Sequence, residues 1–258
     1  MNLISLADMI LKNEEGMDLE LVTYNILPTS KYSGLIEVIE DCDTIYYIQQ
    51  SLNSTILNYI LEINGDMKVK EVRNQFIKST AAYCVITYLF GIGDRHLDNI
   101  MVKKDGRLFH IDFGYILGND PMVNNPGMRI TDEMIEAIGG FSSKYYEEFT
   151  DLCTKIYNCL RRNIDIFMNV LAVLPYTSDI NLTTNEINNF LIRRFIPGEN
   201  NIDAKIYLVN QIDKQSYINN VKDWCHFFSK EKTVNNAMNR LAHAVSELVT
   251  TNMFNNTT

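Results

Sequence analysis

The stretch Asn99-Ile-Met-Val-Lys-Lys-Asp-Gly-Arg-Leu-Phe-His-Ile-Asp112 can be folded on paper. Asp105-Gly106 lies between two apolar runs, the strongest short-range signal for a β-hairpin. With those two residues as the turn, Ile100 falls opposite Ile111 and Asn99 falls opposite Asp112. Cross-strand partners have Cα atoms roughly 4.5–5.5 Å apart, so an amide oxygen and a carboxylate would meet at the open end of the hairpin. Two hard oxygen donors that close suit Mg²⁺ carrying nucleotide phosphates.

The flanks extend that reading. Asp112 opens Asp-Phe-Gly, the tripeptide whose Asp holds Mg²⁺ in kinases, and Asn99 follows Asp94 by five residues. That is the interval between catalytic Asp and metal-binding Asn in the protein-kinase catalytic loop. The order differs: Asp94-Arg95-His96 stands where protein kinases carry His-Arg-Asp. A carboxylate and an imidazole therefore share one loop beside the metal ligands, and His is the side chain most readily tuned as a general base near neutral pH. Each part alone is ordinary, since an Asp-Gly couplet is usually only a turn and a single His is usually structural. Register and spacing together point to phosphoryl transfer.

Gly91-Ile-Gly-Asp-Arg-His-Leu-Asp-Asn99 and His110-Ile-Asp-Phe-Gly-Tyr-Ile-Leu-Gly118 resemble the catalytic and activation loops of the phosphatidylinositol 3-kinase/4-kinase superfamily. The Leu97-Asp98 filling, the Tyr115-Ile-Leu-Gly118 continuation and Gly127-Met-Arg-Ile-Thr-Asp-Glu-Met-Ile-Glu-Ala-Ile-Gly-Gly140 are most similar to class III, the phosphatidylinositol 3-kinases. The resemblance covers about residues 3–230 and is strongest from Ala81 to Gly140. It implies an α+β, kinase-like two-lobe fold, mostly the helical C-lobe with a truncated small lobe. On that match residues 1–40 are a remnant of small lobe and hinge. Residues 41–232 are the C-lobe, with the catalytic loop at 91–99 and the activation loop at 110–134, and 233–258 form an unassigned extension.

The resemblance also implies ATP and Mg²⁺ (or Mn²⁺) as cofactors, Asp94 and His96 as the catalytic pair, and Asn99 and Asp112 as metal ligands. The expected reaction is transfer of the γ-phosphate of ATP to the 3-hydroxyl of phosphatidylinositol, with His96, supported by Asp94, taking the hydroxyl proton. The Glu37 carbonyl and the Ile39 amide would bond the adenine edge, between apolar walls of Ile36, Met101 and Ile111; an edge strand and core packing are the alternative. Gly114, Tyr115 and Arg129 fall on the substrate side. Between Tyr115 and Thr131 the charged side chains are Asp120 and Arg129 alone. A multiply phosphorylated headgroup needs several cations at close range, so unphosphorylated phosphatidylinositol is the expected substrate.

The family's phosphate loop and its strand Lys precede the first helix of the small lobe, and this sequence starts inside that helix. Lys12 and Lys31 come after it, so half of the nucleotide clamp is absent from the residues given. A fragment, an enzyme completed by a partner and a pseudokinase scaffold all fit that departure. A phosphatidylinositol 4-kinase or a related Ser/Thr protein kinase is the alternative activity; Gly93 and Tyr115-Ile-Leu-Gly118 count against each in turn.

Composition sets outer bounds. At 258 residues and 46% hydrophobic, the chain can bury a full core. A net charge of −9 argues against nucleic acid, whose phosphates need basic patches. Bulk charge will not hold such a protein on an anionic membrane either, so recruitment to phosphatidylinositol calls for a protein partner or for the C-terminal helix. Trp224, Phe227 and Phe228 could serve there, with core packing as the alternative. Cys42, Cys84, Cys153, Cys159 and Cys225 form no Cys-x-x-Cys pair and read as small buried hydrophobes in a reducing compartment. No signal peptide is expected, and Ala81–Gly93 and Ile164–Pro175 are too short and interrupted to span a bilayer. A cytoplasmic protein, peripheral at intracellular membranes, is the expectation.

Periodicity gives the elements. Ser5–Asn13 reads as a helix with Leu6, Met9 and Ile10 on one side; Leu19–Leu27 reads as a strand ended by Pro28, and Gly34–Ile39 as a second strand. Val69–Phe90 carries Val69, Val72, Phe76 and Ile77 at helical spacing, then turns apolar all round, as a helix entering the centre and delivering Gly91 and Gly93. Ser143–Leu174 keeps Phe149, Leu152, Cys153, Ile156, Leu160, Ile164, Phe167 and Leu171 on one stripe, stopped by Pro175. Thr183 and Glu186 make a capping box for a helix through Ile187, Phe190 and Leu191, and a last helical region runs from about Ile202 into Trp224, Phe227 and Phe228. Arg161-Arg162 and Arg193-Arg194 read as solvated helix faces.

Overall fold

The chain opens on helix α1 (Asn2–Glu15), which buries Ile4, Ala7, Ile10 and Leu11 and ends on Gly16 in the left-handed conformation. Its buried face is rotated from the expected one: Met9 is exposed, and Ala7 is buried where Leu6 is only half-buried. This computed structural model describes residues 1–30, 33–64, 69–119, 128–178 and 180–212.

The residues from Met17 to Tyr24 form no strand, and the ribbon begins where the Asn25 carbonyl accepts the Glu37 N–H at 2.9 Å. There β1 (Ile26–Ser30) and β2 (Ser33–Ile36) form an antiparallel ribbon with Ile26 opposite Ile36 and Pro28 opposite Gly34. Pro28 thus lies inside the strand instead of ending it. Each strand of a two-stranded ribbon is an edge, where a missing N–H is tolerated.

Strand β3 (Cys42–Thr44) leads into α2 (Ile45–Gln50), whose first turn is capped by the Thr44 hydroxyl accepting the Tyr47 N–H at 3.1 Å. Helices α3 (Ile56–Asn64) and α4 (Val69–Leu89) follow. Every residue from Ser79 to Phe90 is buried, as the loss of a polar face predicts. Thr87 Oγ1 donates to the Tyr83 carbonyl at 2.7 Å and Ser79 Oγ accepts the Leu108 N–H at 2.9 Å, while the buried Thr80 hydroxyl has no hydrogen-bond partner among the described residues.

Strands β4 (Ile100–Lys103) and β5 (Leu108–His110) complete a sheet of order β3-β4-β5. The hairpin exists, but its register differs from the expected one by a residue: Ile100 faces His110, not Ile111, and Met101 faces Phe109. The Gly106 N–H bonds the Lys103 carbonyl at 2.9 Å and the Lys103 N–H bonds the Arg107 carbonyl at 2.8 Å. This is a three-residue loop, a turn closed by Gly106 at φ +95°, instead of the two-residue turn expected from Asp-Gly. The Ile111 N–H accordingly bonds the Asn99 carbonyl at 3.1 Å, and Asp112 lies one residue beyond Asn99's partner.

Thr131 caps α5 (Asp132–Ile138), and Ser143 caps α6 (Lys144–Arg162). The long helix expected over Ser143–Leu174 is three pieces, α6, α7 (Ile164–Leu171) and α8 (Leu174–Thr177). Asn163 makes the break: its amide gives protons to the Cys159 carbonyl at 3.0 Å and to Glu14 at 2.9 Å, tying the corner to α1. Pro175 lies in the first turn of α8, where its missing N–H has no partner to lose, and does not stop α7. Helix α9 (Thr184–Phe195) starts with the full Thr183–Glu186 capping box, and residues 201–212 are helical.

Arg161 corrects the solvated-face expectation. It is buried and donates to the Phe195, Ile196 and Glu199 carbonyls, sealing the C-terminal end of α9. Cys84, Cys153 and Cys159 are buried as expected, and burial pushes the Cys84 thiol up to about 12. Cys225, Trp224, Phe227, Phe228 and the 233–258 extension lie outside the described residues. Among the described residues no helix is long and apolar enough to cross a membrane.

Candidate active site

Helix α4 hands its chain to Gly91, and from there two loops are stitched together by backbone hydrogen bonds. The Leu117 N–H bonds the Phe90 carbonyl at 2.8 Å, the Gly118 N–H bonds the Gly91 carbonyl at 3.1 Å, and the Gly93 N–H bonds the Tyr115 carbonyl at 2.9 Å. The loop containing Asp94 and the segment containing Asp112 are thereby held side by side.

Both aspartates have left-handed backbones, with φ of 54° at Asp94 and 55° at Asp112. Such a residue stores of order 1–3 kcal/mol of strain and persists only where its surroundings over-determine it. Arg95 supplies that constraint. Its buried guanidinium donates to the Gly93 carbonyl at 2.7 Å, the Ile111 carbonyl at 2.6 Å and the Asp112 carbonyl, bridging both loops beside each strained residue. Sequence reasoning missed Arg95, because its partners are carbonyls that carry no sequence signature.

His96, Asn99 and Asp94 interlock. The Asn99 amide nitrogen donates to the Asp94 carbonyl at 2.9 Å and lies 3.2 Å from His96 Nε2. Nε2 is in turn 3.9 Å from Asp94 Oδ1. With its nitrogen so held, Asn99 keeps its oxygen as the uncommitted end. Asp112 is exposed; its Oδ1 accepts the Gly114 N–H at 3.2 Å. The left-handed turn at Asp112 follows the one-residue register difference, so the carboxylate's direction is set by that turn and not by the strand pleat.

Beside these residues is a cavity of about 710 Å³. Ile36, Glu37, Ile39, Met101 and Ile111 all line it, together with Asp112. Tyr24, Phe109 and Phe113 also contribute and were not anticipated from the sequence. The Glu37 side chain takes protons from the Asn25 N–H at 2.8 Å and the Asn25 amide at 2.9 Å, which fixes the approach of the ribbon to the cavity.

Residues 1–183 match the family described as phosphatidylinositol 3- and 4-kinase. The chain belongs to that family. Among curated proteins it is 40% identical over 219 residues to the Saccharomyces cerevisiae phosphatidylinositol 3-kinase VPS34, a match covering 82% of this chain and 25% of that protein. It is 42% identical over 183 residues to VPS34 of Candida glabrata, covering 69% and 20%. It is 36% identical over 180 residues to the Schizosaccharomyces pombe phosphatidylinositol 3-kinase pik3, covering 67% and 22%. The matched region is a quarter or less of the length of these relatives.

Within this phosphatidylinositol 3- and 4-kinase family member, the substrate-side residues divide. Gly114 is exposed and Tyr115 is half-buried, but Arg129 is only 2% exposed. Its carbonyl accepts the Cys84 thiol at 3.0 Å, and its charge acts on His110. Arg129 is thus an interior residue in this structure.

His110 stacks on Tyr83 with ring centroids 5.1 Å apart and has neither ring nitrogen hydrogen-bonded. Burial, reinforced by Arg95 and Arg129, holds its pKa well below the ordinary value. The unfolded chain binds this proton below about pH 6.5 and the folded chain refuses it. Stability is therefore full above that value and falls as the pH drops beneath it. Between pH 7 and 5.5 chemical denaturation should show a loss of about 1 kcal/mol from this group, removed in His110→Phe; an unchanged slope in that variant would refute the assignment.

Proposed function

We propose that this chain carries the catalytic core of an ATP-dependent phosphatidylinositol 3-kinase. One observation carries the reading: the five nucleotide-side candidates and Asp112 line a single cavity, next to a loop in which Asp94, His96 and Asn99 touch. Adenine would enter between Ile36, Met101 and Ile111, with the Glu37 carbonyl and Ile39 amide along its edge. The inositol 3-hydroxyl attacks the γ-phosphorus, the bond to the β–γ bridging oxygen breaks, and ADP leaves. The Asp94–His96 pair receives the proton the hydroxyl gives up.

Among the described residues no cluster of three or more His, Cys, Asp or Glu could hold a metal unaided. One carboxylate and one amide oxygen, Asp112 and Asn99, fit instead a Mg²⁺ or Mn²⁺ whose remaining ligands are phosphate and water. Bound there, the ion would neutralise charge on the β- and γ-phosphates. The protein's own part is to aim the two oxygens, through Arg95 and the Asn99 amide bonds.

Substrate choice follows from charge. Arg129, the one cation between Tyr115 and Thr131, is buried, so unphosphorylated phosphatidylinositol is favoured over its phosphorylated forms. The relatives named phosphatidylinositol 3-kinase support the 3-hydroxyl. With a net charge of −9, a protein partner brings the chain from the cytoplasm to intracellular membranes.

The test is binding first and transfer second. Mg-ATP at a hundredfold excess over its Kd should stabilise the chain by about 2.7 kcal/mol. Labelled phosphate should then appear on the 3-position of phosphatidylinositol in vesicles, and not on a bisphosphorylated lipid or a peptide. No thermal shift would sink the nucleotide assignment, and label on the peptide or the 4-position would replace the substrate.

A further inference from the structure

The imidazole of His96 is held by a contact that the reaction scheme does not use. Residues Leu97–Asn99 form a short 3₁₀ turn, and its N-cap is the His96 side chain, whose Nδ1 accepts the Asp98 N–H at 3.2 Å. The Asp98 carboxylate reaches across to β3, where Oδ1 accepts the Thr44 hydroxyl at 3.4 Å. Thr44 is itself anchored twice, by pairing with Met101 in the sheet and by capping α2. A strut of hydrogen bonds thus runs from the sheet that lines the nucleotide cavity to the ring in the catalytic loop.

We propose that Asp98 and Thr44 are positioning residues that hold His96 in the tautomer carrying its proton on Nε2. A backbone N–H can only donate, so Nδ1 must be the bare nitrogen, and a neutral ring then keeps its proton on Nε2. The Asn99 amide nitrogen, 3.2 Å from Nε2, competes as a second donor. It is the weaker claimant, because that nitrogen already donates to the Asp94 carbonyl at 2.9 Å. Asp94 Oδ1 lies 3.9 Å from Nε2. The ring therefore supplies the N–H of the pair and the carboxylate its lone pairs, which reverses the division of labour expected from the sequence. Because Met101 lines the cavity opposite Thr44, filling the cavity and aiming the ring are linked through one strand pair.

This inference rests on the catalytic pair proposed above, and its primary readout needs no turnover. Imidazole ¹⁵N NMR of the full chain, with four histidines and His96→Gln to assign the signal, should show a protonated Nε2 and a bare Nδ1 at His96. Asp98→Ala, which keeps the peptide N–H and the α2 cap, should shift the signal toward mixed tautomers. It should also lower kcat on the order of tenfold with KM for ATP unchanged. Thr44→Val should do the same, and Thr44→Ser should restore both readouts. A proton found on Nδ1 in the unmodified chain, or an unaltered ring signal in both Asp98→Ala and Thr44→Val, overturns the proposal. A chain inactive on phosphatidylinositol overturns the functional reading and leaves the ring signal to decide this one.

Discussion

Asp112→Ala should take phosphate transfer to background, a loss on the order of 10³-fold or more. The size follows from removing the only carboxylate in the two-residue donor set. The fold should survive. Asp112 is exposed, and its side chain accepts the Gly114 N–H. Asp112→Asn is the sharper variant, since Asn tolerates the left-handed backbone that Ala resists. Melting temperature should change little in the Asn variant, while thermal stabilisation by Mg-ATP and lipid phosphorylation both collapse. Turnover retained at the unmodified level would dispose of the metal assignment.

Gly91→Ala should be strongly damaging, by structure and not by chemistry. A Cβ at Gly91 would lie 2.6 Å from the Gly118 nitrogen and 2.4 Å from Phe190 Cζ. The Phe190 ring can move a little; the Gly118 backbone cannot without releasing its bond to the Gly91 carbonyl. The backbone is also left-handed there, at φ +55°. Strain and overpacking together make about 3 kcal/mol or more, a large share of the 5–15 kcal/mol that holds a typical domain. Urea unfolding should report it directly. A variant as stable as the unmodified chain would mean the two loops are not packed as described.

What the sequence revealed divides along physical lines. The capping box at Thr183 and the burial of α4 were legible because each is set by residues within a turn or two. The hairpin was legible and its register was not. Asp105-Gly106 suits a two-residue turn and equally a three-residue loop closed by a left-handed glycine. Here Gly106 sits 2.6 Å, at its missing Cβ, from Val72 of α4, a tertiary contact that no local pattern contains. The break at Asn163 was hidden because the apolar stripe runs straight through it. In the site, Asp94, His96, Asn99 and Asp112 came from spacing and resemblance, and the structure brings Asp94, His96 and Asn99 into contact. Arg95 and Arg129 look alike on paper. One bolts the loops together, the other is buried against Cys84 and His110, and only tertiary packing separates them.

The Arg95 fastening has a property that a latch made from acids would lack. A guanidinium stays ionised at any acidity a protein survives, and its partners at Gly93, Ile111 and Asp112 are uncharged peptide oxygens. Being buried, it is also shielded from dissolved ions. A salty compartment would thus screen the reacting groups while leaving their scaffold in alignment, and dilution would find the machinery already assembled.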